Sequence, residues 1–251
     1  MRLFLIRHGE TVDNVAQVYA GSRDSALTAH GVLQTRRLAT HLSGNPSSAA
    51  RVFSSDLQRA VKTAQAICDA RANGEEPLQL PQLREKHFGT GEGASFGAGR
   101  DHHHEGAESP EDMRERVGVF LQERLLPLVS SSDHVYVVAH GIILGVLFRH
   151  LRQQLSHGSM SFAPEAQRIG SPGSQLMPTW SNTGFLEAHL TSADTKWSST
   201  KVHILRVNSV DHLQGLRKTR GGIGSARFDD KQKTLTSFFA PKKRKRADAD
   251  T

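Results

Sequence analysis

The chain has 251 residues, 37% of them hydrophobic and 23% charged, with 22 glycines, a composition of globular proteins and not of collagen-like, wholly disordered or membrane-spanning chains. A chain this long buries roughly three quarters of its unfolded surface, enough for one large α/β domain or two small ones. The net charge of +7 invites an anionic partner, but eight Lys or Arg against four Asp fall in the last 31 residues, leaving only +3 on the body, so nucleic-acid binding by the body has little support.

In chain order, Arg2 to Ile6 reads as a short buried strand. It ends at Arg7 without the apolar core of a signal peptide. A helix stripe of Val32, Ala39 and Leu42 follows Thr28. A second stripe of Leu57, Ala60, Val61, Ala64, Ile67 and Cys68 is opened by Ser55 or Asp56 as N-cap. Cys68 is the single cysteine. It excludes an internal disulfide and a thiolate zinc site, fits a reducing intracellular compartment, and on its stripe reads as core. Met113, Val117, Phe120 and Leu121 form a further helix face after Ser109-Pro110, a cap followed by proline at the first helical position.

Val135 to Ala139 is another buried strand, and Ile142 to Phe148 is apolar all round, as in a helix enclosed by other layers. That whole stretch is too short to span a bilayer, so a protein neither secreted nor membrane-inserted is expected. Ser156 to Pro178, rich in Ser, Gly and Pro, reads as a surface lid or mobile insertion. Strands follow at Thr183 to Leu190 and Val202 to Val207. Apolar periodicity stops near Arg220, which sets the expected boundary between a domain over 1–220 and a disordered tail over 221–251. Strands alternating with helices predict a three-layer α/β/α fold with a mostly parallel central sheet.

Both main strands end in His-Gly, at His8-Gly9 and His140-Gly141. Ligands of parallel sheets sit at the carboxyl ends of strands, so the two imidazoles are expected to meet there. Arg7 precedes the first, and Arg59 opens the helix after Ser54-Ser55-Asp56. Two guanidinium groups with helix N-termini would hold a tetrahedral dianion. A neutral imidazole held through its other nitrogen attacks phosphorus without metal while the arginines neutralise the non-bridging oxygens. A carboxylic acid kept protonated by phosphate charge would then protonate the leaving alkoxide, and Glu85 is the candidate. A lone strand-end histidine is ordinarily structural, and Glu85, flanked by Arg84 and Lys86, has a plain salt-bridge reading. It is the joint pattern that points to phosphoryl transfer. Asp101-His102-His103-His104-Glu105 has metal-ligand residue types, but consecutive loop residues rarely converge on one ion, so neither a metal nor another cofactor is expected.

Arg7-His8-Gly9-Glu10-Thr11, Ser54-Ser55-Asp56-Leu57 with Arg59, Leu83-Arg84-Glu85, Gly91-Glu92-Gly93 and Ala139-His140-Gly141 resemble the histidine phosphatase (phosphoglycerate mutase-like) superfamily over about residues 1–220. The resemblance implies His8 as phosphorylated nucleophile, Arg7, Arg59 and His140 as phosphate pocket, and Glu85 as proton donor. It also implies Asn14, Gly21, Ser22 and Gly141 as substrate-binding residues. Leu83-Arg84-Glu85 with Phe88-Gly89, and Asp211-His212-Leu213 with Gly215-Leu216, look closest to the TIGAR-like fructose-bisphosphatase branch. Gly106-Ala107-Glu108 and His30 depart from that pattern. A sugar bisphosphate would suit Arg23, Arg84, Lys86, His87 and Arg100 as receivers of a second phosphate. A phosphoglycerate mutase-type phosphotransferase is the alternative nearest in chemistry.

In the tail, Gln232, Leu235, Phe238 and Phe239 stand at the spacing of the peptide that binds the replication sliding clamp, PCNA, where a 3₁₀ turn gathers the three apolar side chains into a plug. The plain reading is phenylalanines docked on their own domain or a dimer partner. Lys242, Lys243, Arg244, Lys245 and Arg246 after Pro241 resemble a nuclear localisation signal, so the nucleus is the expected compartment, with the cytoplasm as a second. The expectation is thus a phosphohydrolase of phosphate monoesters recruited to the clamp, or, in another class, a clamp-binding adaptor whose catalytic domain is vestigial.

Overall fold

The computed structural model describes residues 1–43, 50–71, 75–96, 104–131, 133–167, 178–219 and 222–230. Seven strands make one sheet: β1 (Arg2–Arg7), β2 (Ala50–Ser54), β3 (Leu78–Gln79), β4 (His134–Ala139), β5 (Met160–Phe162), β6 (Phe185–Thr191) and β7 (Lys201–Ser209), in the order β3-β2-β4-β1-β6-β7-β5. Only β6 runs against its neighbours β1 and β7; the β1–β4, β2–β4, β2–β3 and β5–β7 pairs are all parallel. The helices are α1 (Val12–Ala16), α2 (Ala29–Leu42), α3 (Gln58–Arg71), α4 (Pro110–Phe120), α5 (Gly141–Gln154) and α6 (Pro164–Gln167).

The two-residue strand period makes both faces of the sheet apolar. Leu3 and Leu5 of β1 with Val135, Val137 and Ala139 of β4 pack under α4 and α5. Phe4 and Ile6 with Tyr136 and Val138 point the other way, under α2 and α3. This is the expected three-layer α/β/α fold. The cap read at Ser109 holds, with Ser109 and Asp112 in a reciprocal capping box at α4 and Pro110 at its first position, and Thr28 caps α2 by accepting from Gly31 N; the cap read at Ser55 or Asp56 does not, because α3 starts at Gln58 and its N–H goes to Asp24.

Four other readings change. Ser156 to Pro178 is not simply a lid, because its first half supplies β5, hydrogen-bonded to β7, and α6. The helix read as Ile142 to Phe148 runs on to Gln154, and Ile142 is exposed where α5 starts. Val32 is only half-buried; Leu38 and Thr35 take the inner face of α2 instead. The folded part also passes the expected boundary at 220. Ala29 N donates to Ala226 O and Phe228 N to Leu27 O, so residues 222–230 return to the start of α2. Backbone pairing to an existing edge requires no apolar periodicity, which is why the pattern fell silent before the structure did. Residues 231–251 and Arg100 to His103 lie outside the described residues, and with them the tail positions named above and most of the histidine-rich loop.

Candidate active site

The carboxyl ends of β1 and β4 lie side by side, with Arg7 opposite Ala139 in register. His8 N donates to Ala139 O at 3.0 Å, and the His8 and His140 rings stand 5.0 Å apart, both side chains buried. His8 Nδ1 lies 2.7 Å from Gly9 O. A carbonyl can only accept, so Nδ1 carries the proton and Nε2 presents a lone pair. Burial, then the charges of Arg59 and Arg7, hold the His8 pKa well below the usual histidine value, so the ring is neutral at neutral pH.

The second imidazole is oriented the opposite way. Arg59 Nε donates to His140 Nδ1 at 3.1 Å, which leaves the His140 proton on Nε2. Burial and Arg59 depress this pKa too. Among the described residues neither His140 Nε2 nor Arg7 Nε has a hydrogen-bond partner, though both are buried. Arg7 is anchored by Nη1 on Trp180 O, and its Nε lies 3.8 Å from where a Cβ on Gly141 would sit. Arg59 donates Nη1 to Arg23 O at 2.6 Å and Nη2 to Gly21 O at 2.7 Å. Burial lowers the pKa of Arg7 and of Arg59, and the Glu85 charge opposes this in both.

Glu85 accepts from Ile142 N and Ile143 N, each at 3.1 Å, and from Lys86 N at 3.0 Å. At the N-terminus of α5, expected to receive phosphate, the Ile142 and Ile143 N–H groups are therefore taken by the Glu85 carboxyl group. The start of α3 is closed as well, by Ser55 Oγ on Leu57 N and Asp24 on Gln58 N. Asp56 instead pairs through both oxygens with Arg84. Side-chain donors therefore face an anion in this cavity in place of the Ile142, Ile143, Leu57 and Gln58 N–H groups. The cause is simple: an orphan N–H takes a nearby side-chain acceptor whenever the loop brings one within reach.

Asn14 caps Thr11 N with Oδ1 and accepts from Asn182 Nδ2 at 3.0 Å, and the same amide donates to His8 O. Ser22 gives its N–H and hydroxyl to Glu92. Asn14 through Oδ1, Gly21 through its carbonyl and Ser22 through its N–H and hydroxyl thus hold the walls of the cavity together. Of the cations suited to a second phosphate, Arg84 is tied to Asp56 and Lys86 Nζ sits over the Phe88 ring at 5.5 Å.

Several residues escaped the sequence. Thr183 adopts φ +56°, rare for a β-branched residue. Its N–H is shared by Arg7 O and His8 O at 3.1 and 3.2 Å, and its hydroxyl meets His212 Nε2 at 2.9 Å. Thr63 Oγ1 accepts from Gly9 N. Arg116 forms a forked pair with Glu108 and donates to Gln82 O and Arg84 O, gripping the backbone just before Glu85. No local spacing marks any of these. Among the described residues no group of three or more His, Cys, Asp or Glu side chains is placed to hold a metal ion.

The profile described as histidine phosphatase superfamily (branch 1) matches residues 3–163. A probable phosphatase of Schizosaccharomyces pombe is 30% identical over 247 residues, covering 93% of this chain and 78% of the relative. A 2,3-bisphosphoglycerate-dependent phosphoglycerate mutase of Rhizobium etli is 29% identical over 67% of this chain and 91% of its own. The crystal structure of phosphoglycerate mutase from Thermus thermophilus superposes with a TM-score of 0.53 at 27% identity, covering 83% and 99% of the two chains. Two imidazoles, two guanidinium groups and a carboxylate gathered at the ends of β1 and β4 thus accompany a match across most of the fold, and the chain belongs to the histidine phosphatase superfamily.

Proposed function

We propose that the protein hydrolyses phosphate monoesters through a phosphohistidine on Nε2 of His8, with no metal ion. In the first step Nε2 attacks phosphorus, the N–P bond forms as the ester P–O bond breaks, and Glu85, protonated when the charge of the bound phosphate lies beside it, gives its proton to the departing alkoxide. In the second, water attacks phosphorus, the N–P bond breaks, and Glu85 takes the water proton. Arg7 Nε and His140 Nε2–H receive the non-bridging oxygens, and the guanidinium charges of Arg7 and Arg59 stabilise the transition state.

The observation that carries this reading is the pair of buried donors, Arg7 Nε and His140 Nε2, without a partner among the described residues, beside an imidazole whose tautomer is set by Gly9 O. A buried donor without a partner costs about 1–3 kcal/mol, and an anion that accepts from both removes that cost. Incubation with a phosphate donor, followed by detection of acid-labile phosphohistidine, tests it. His8→Ala abolishes the label; an unchanged label in that variant refutes the assignment. Activity should also survive a strong chelator.

A phosphoglycerate mutase-type phosphotransferase is favoured by the Rhizobium relative named above. It returns the phosphoryl group to a sugar acid where the hydrolase yields inorganic phosphate. For substrate we propose a sugar bisphosphate, in keeping with the resemblance to the TIGAR-like fructose-bisphosphatase branch. Arg23, whose Nη1 stands over Gly93, is the remaining described arginine for a second phosphate. A panel of sugar phosphates, nucleotides and phosphopeptides ranks the candidates. We further propose recruitment to the sliding clamp through Gln232, Leu235, Phe238 and Phe239 and nuclear import through Lys242 to Arg246, on their spacing. Calorimetry of a 232–246 peptide against the clamp checks the first: Phe238→Ala and Phe239→Ala should remove binding. The adaptor reading requires no turnover on the panel together with tight clamp binding.

A further inference from the structure

On the face of the sheet under α2 and α3 the apolar pattern breaks at one end. Phe4 and Tyr136 are paired in register on β1 and β4, and their rings are stacked with centroids 4.9 Å apart. Around this stack stand Arg2 on β1, Glu187 on β6 and Arg206 on β7. With Arg71, the last residue of α3, they line a cavity of about 330 Å³. It lies at the amino end of β1, whereas Arg7 and His8 lie at the carboxyl end, about 17 Å along the strand.

Among the described residues that line the cavity, three guanidinium groups face one carboxylate. Glu187 is buried, accepts from Arg2 Nε at 2.6 Å and lies 3.6 Å from Arg206 Nε. A guanidinium has five N–H donors, so Glu187, with Asp211 4.0 Å from Arg206 Nη1, occupies only part of the Arg2 and Arg206 forks. Arg71 is buried and donates Nη1 to the Tyr136 hydroxyl at 3.3 Å. Arg2 Cζ stands 5.9 Å from the Phe4 ring centroid and Arg71 Cζ 5.7 Å from that of Tyr136. The ring stack therefore holds both cations in place before any ligand arrives. The carboxyl ends of α2 and α3 add partial negative charge, about half a unit each, which does not cancel the excess. His134 in the same lining feels that excess, since its pKa is lowered by burial and then by Arg2 and Arg71.

We infer that this cavity is a second anion site, one that takes the phosphate group of a small phosphorylated metabolite. The three forks come from three different elements, β1, β7 and α3, which suits the oxygens of a tetrahedral group. A carboxylate has two oxygens in one plane and engages fewer of them. The volume stands near the lower end of the roughly 300–1,000 Å³ of small-molecule pockets, room for a phosphate with a small organic part. The inference does not rest on the phosphatase chemistry.

Amide NMR of the full chain, titrated with inorganic phosphate, tests it. Two groups of shifts are expected, one at Phe4 and Arg206 and a separate one at His8 and Gly141. Arg206→Gln, at a side chain 44% exposed, should weaken binding at the first group tenfold or more and leave the second unmoved. Arg2→Gln serves the same purpose should that variant fail to fold. Acetate at the same concentration should move the first group little. Shifts confined to the catalytic end, an affinity unchanged in the variants, or acetate as effective as phosphate would each overturn the inference. Failure of the phosphatase reading looks different: the second group would be missing and the first would remain.

Discussion

Arg116 makes no side-chain hydrogen bond to His8, His140 or the Glu85 carboxyl among the described residues, yet it holds the segment that carries Glu85. Its Nε and Nη2 meet the Glu108 oxygens at 2.6 and 2.9 Å, and its Nη1 meets Gln82 O and Arg84 O at 2.7 and 2.8 Å. The two side chains are 19% and 15% exposed, so the pair lies between a surface ion pair of about 0–1 kcal/mol and a broken buried pair of about 3–5 kcal/mol. Arg116→Ala should therefore cost about 2–3 kcal/mol of stability. Glu85 keeps its bonds to Ile142 N and Ile143 N, so its carboxyl is loosened by the freed backbone before it and not lost. Of the roughly 10²–10⁴-fold that a positioned acid contributes, a loss of about 10- to 100-fold in kcat is expected. The assay compares leaving groups. An alkyl phosphate needs a proton on departure and should show the whole loss; p-nitrophenyl phosphate does not and should lose little, with KM hardly moved because the phosphate pocket is intact. Arg116→Lys, which brings a point charge without the fork, should recover part of the rate. Equal losses on both substrates, or none on either, would refute the positioning role.

Thr183 and His212 make a second test. Burial pushes His212 down to about 4 from the usual 6.5, so between these values the unfolded chain binds more protons than the folded one, and stability falls as pH drops through that window. Melting temperatures of the native protein should decline from pH 6.5 to 4, and less steeply in His212→Asn; parallel profiles would remove His212 from the explanation. The depressed pKa of His8 likewise predicts that kcat/KM holds as pH falls through the ordinary histidine range and drops only below it, since the neutral ring is the nucleophile. Gly31→Ala places a Cβ 2.1 Å from Glu10 O, a backbone atom two residues after His8. About 1–3 kcal/mol of destabilisation and a fall in kcat are expected, and an unshifted melting temperature would contradict the close approach.

Strand ends, helix stripes and the His-Gly pair were legible because they are local. Each is a period or a dipeptide, and the sheet's two apolar faces follow from the alternation in β1 and β4 alone. The return of residues 222–230 was not legible, since it rests on main-chain bonds to Leu27 and Ala29 that any side chains permit. Nor was the forked Arg116–Glu108 pair, whose partners stand eight residues apart with no shared helix face.

Sequence alone determined the chemistry available: which residues are nucleophile, cation and acid in type, and that two strand ends would carry them. Tertiary structure decided how they are wired. It put Glu85 on the N-terminus of α5, closed α3 with Asp24, turned the His140 proton toward the cavity through Arg59, and bent Thr183 into left-handed backbone to hold the carbonyls of Arg7 and His8. The physical reason is that hydrogen-bond partners are chosen by distance in space, and these partners are separated by tens of residues along the chain.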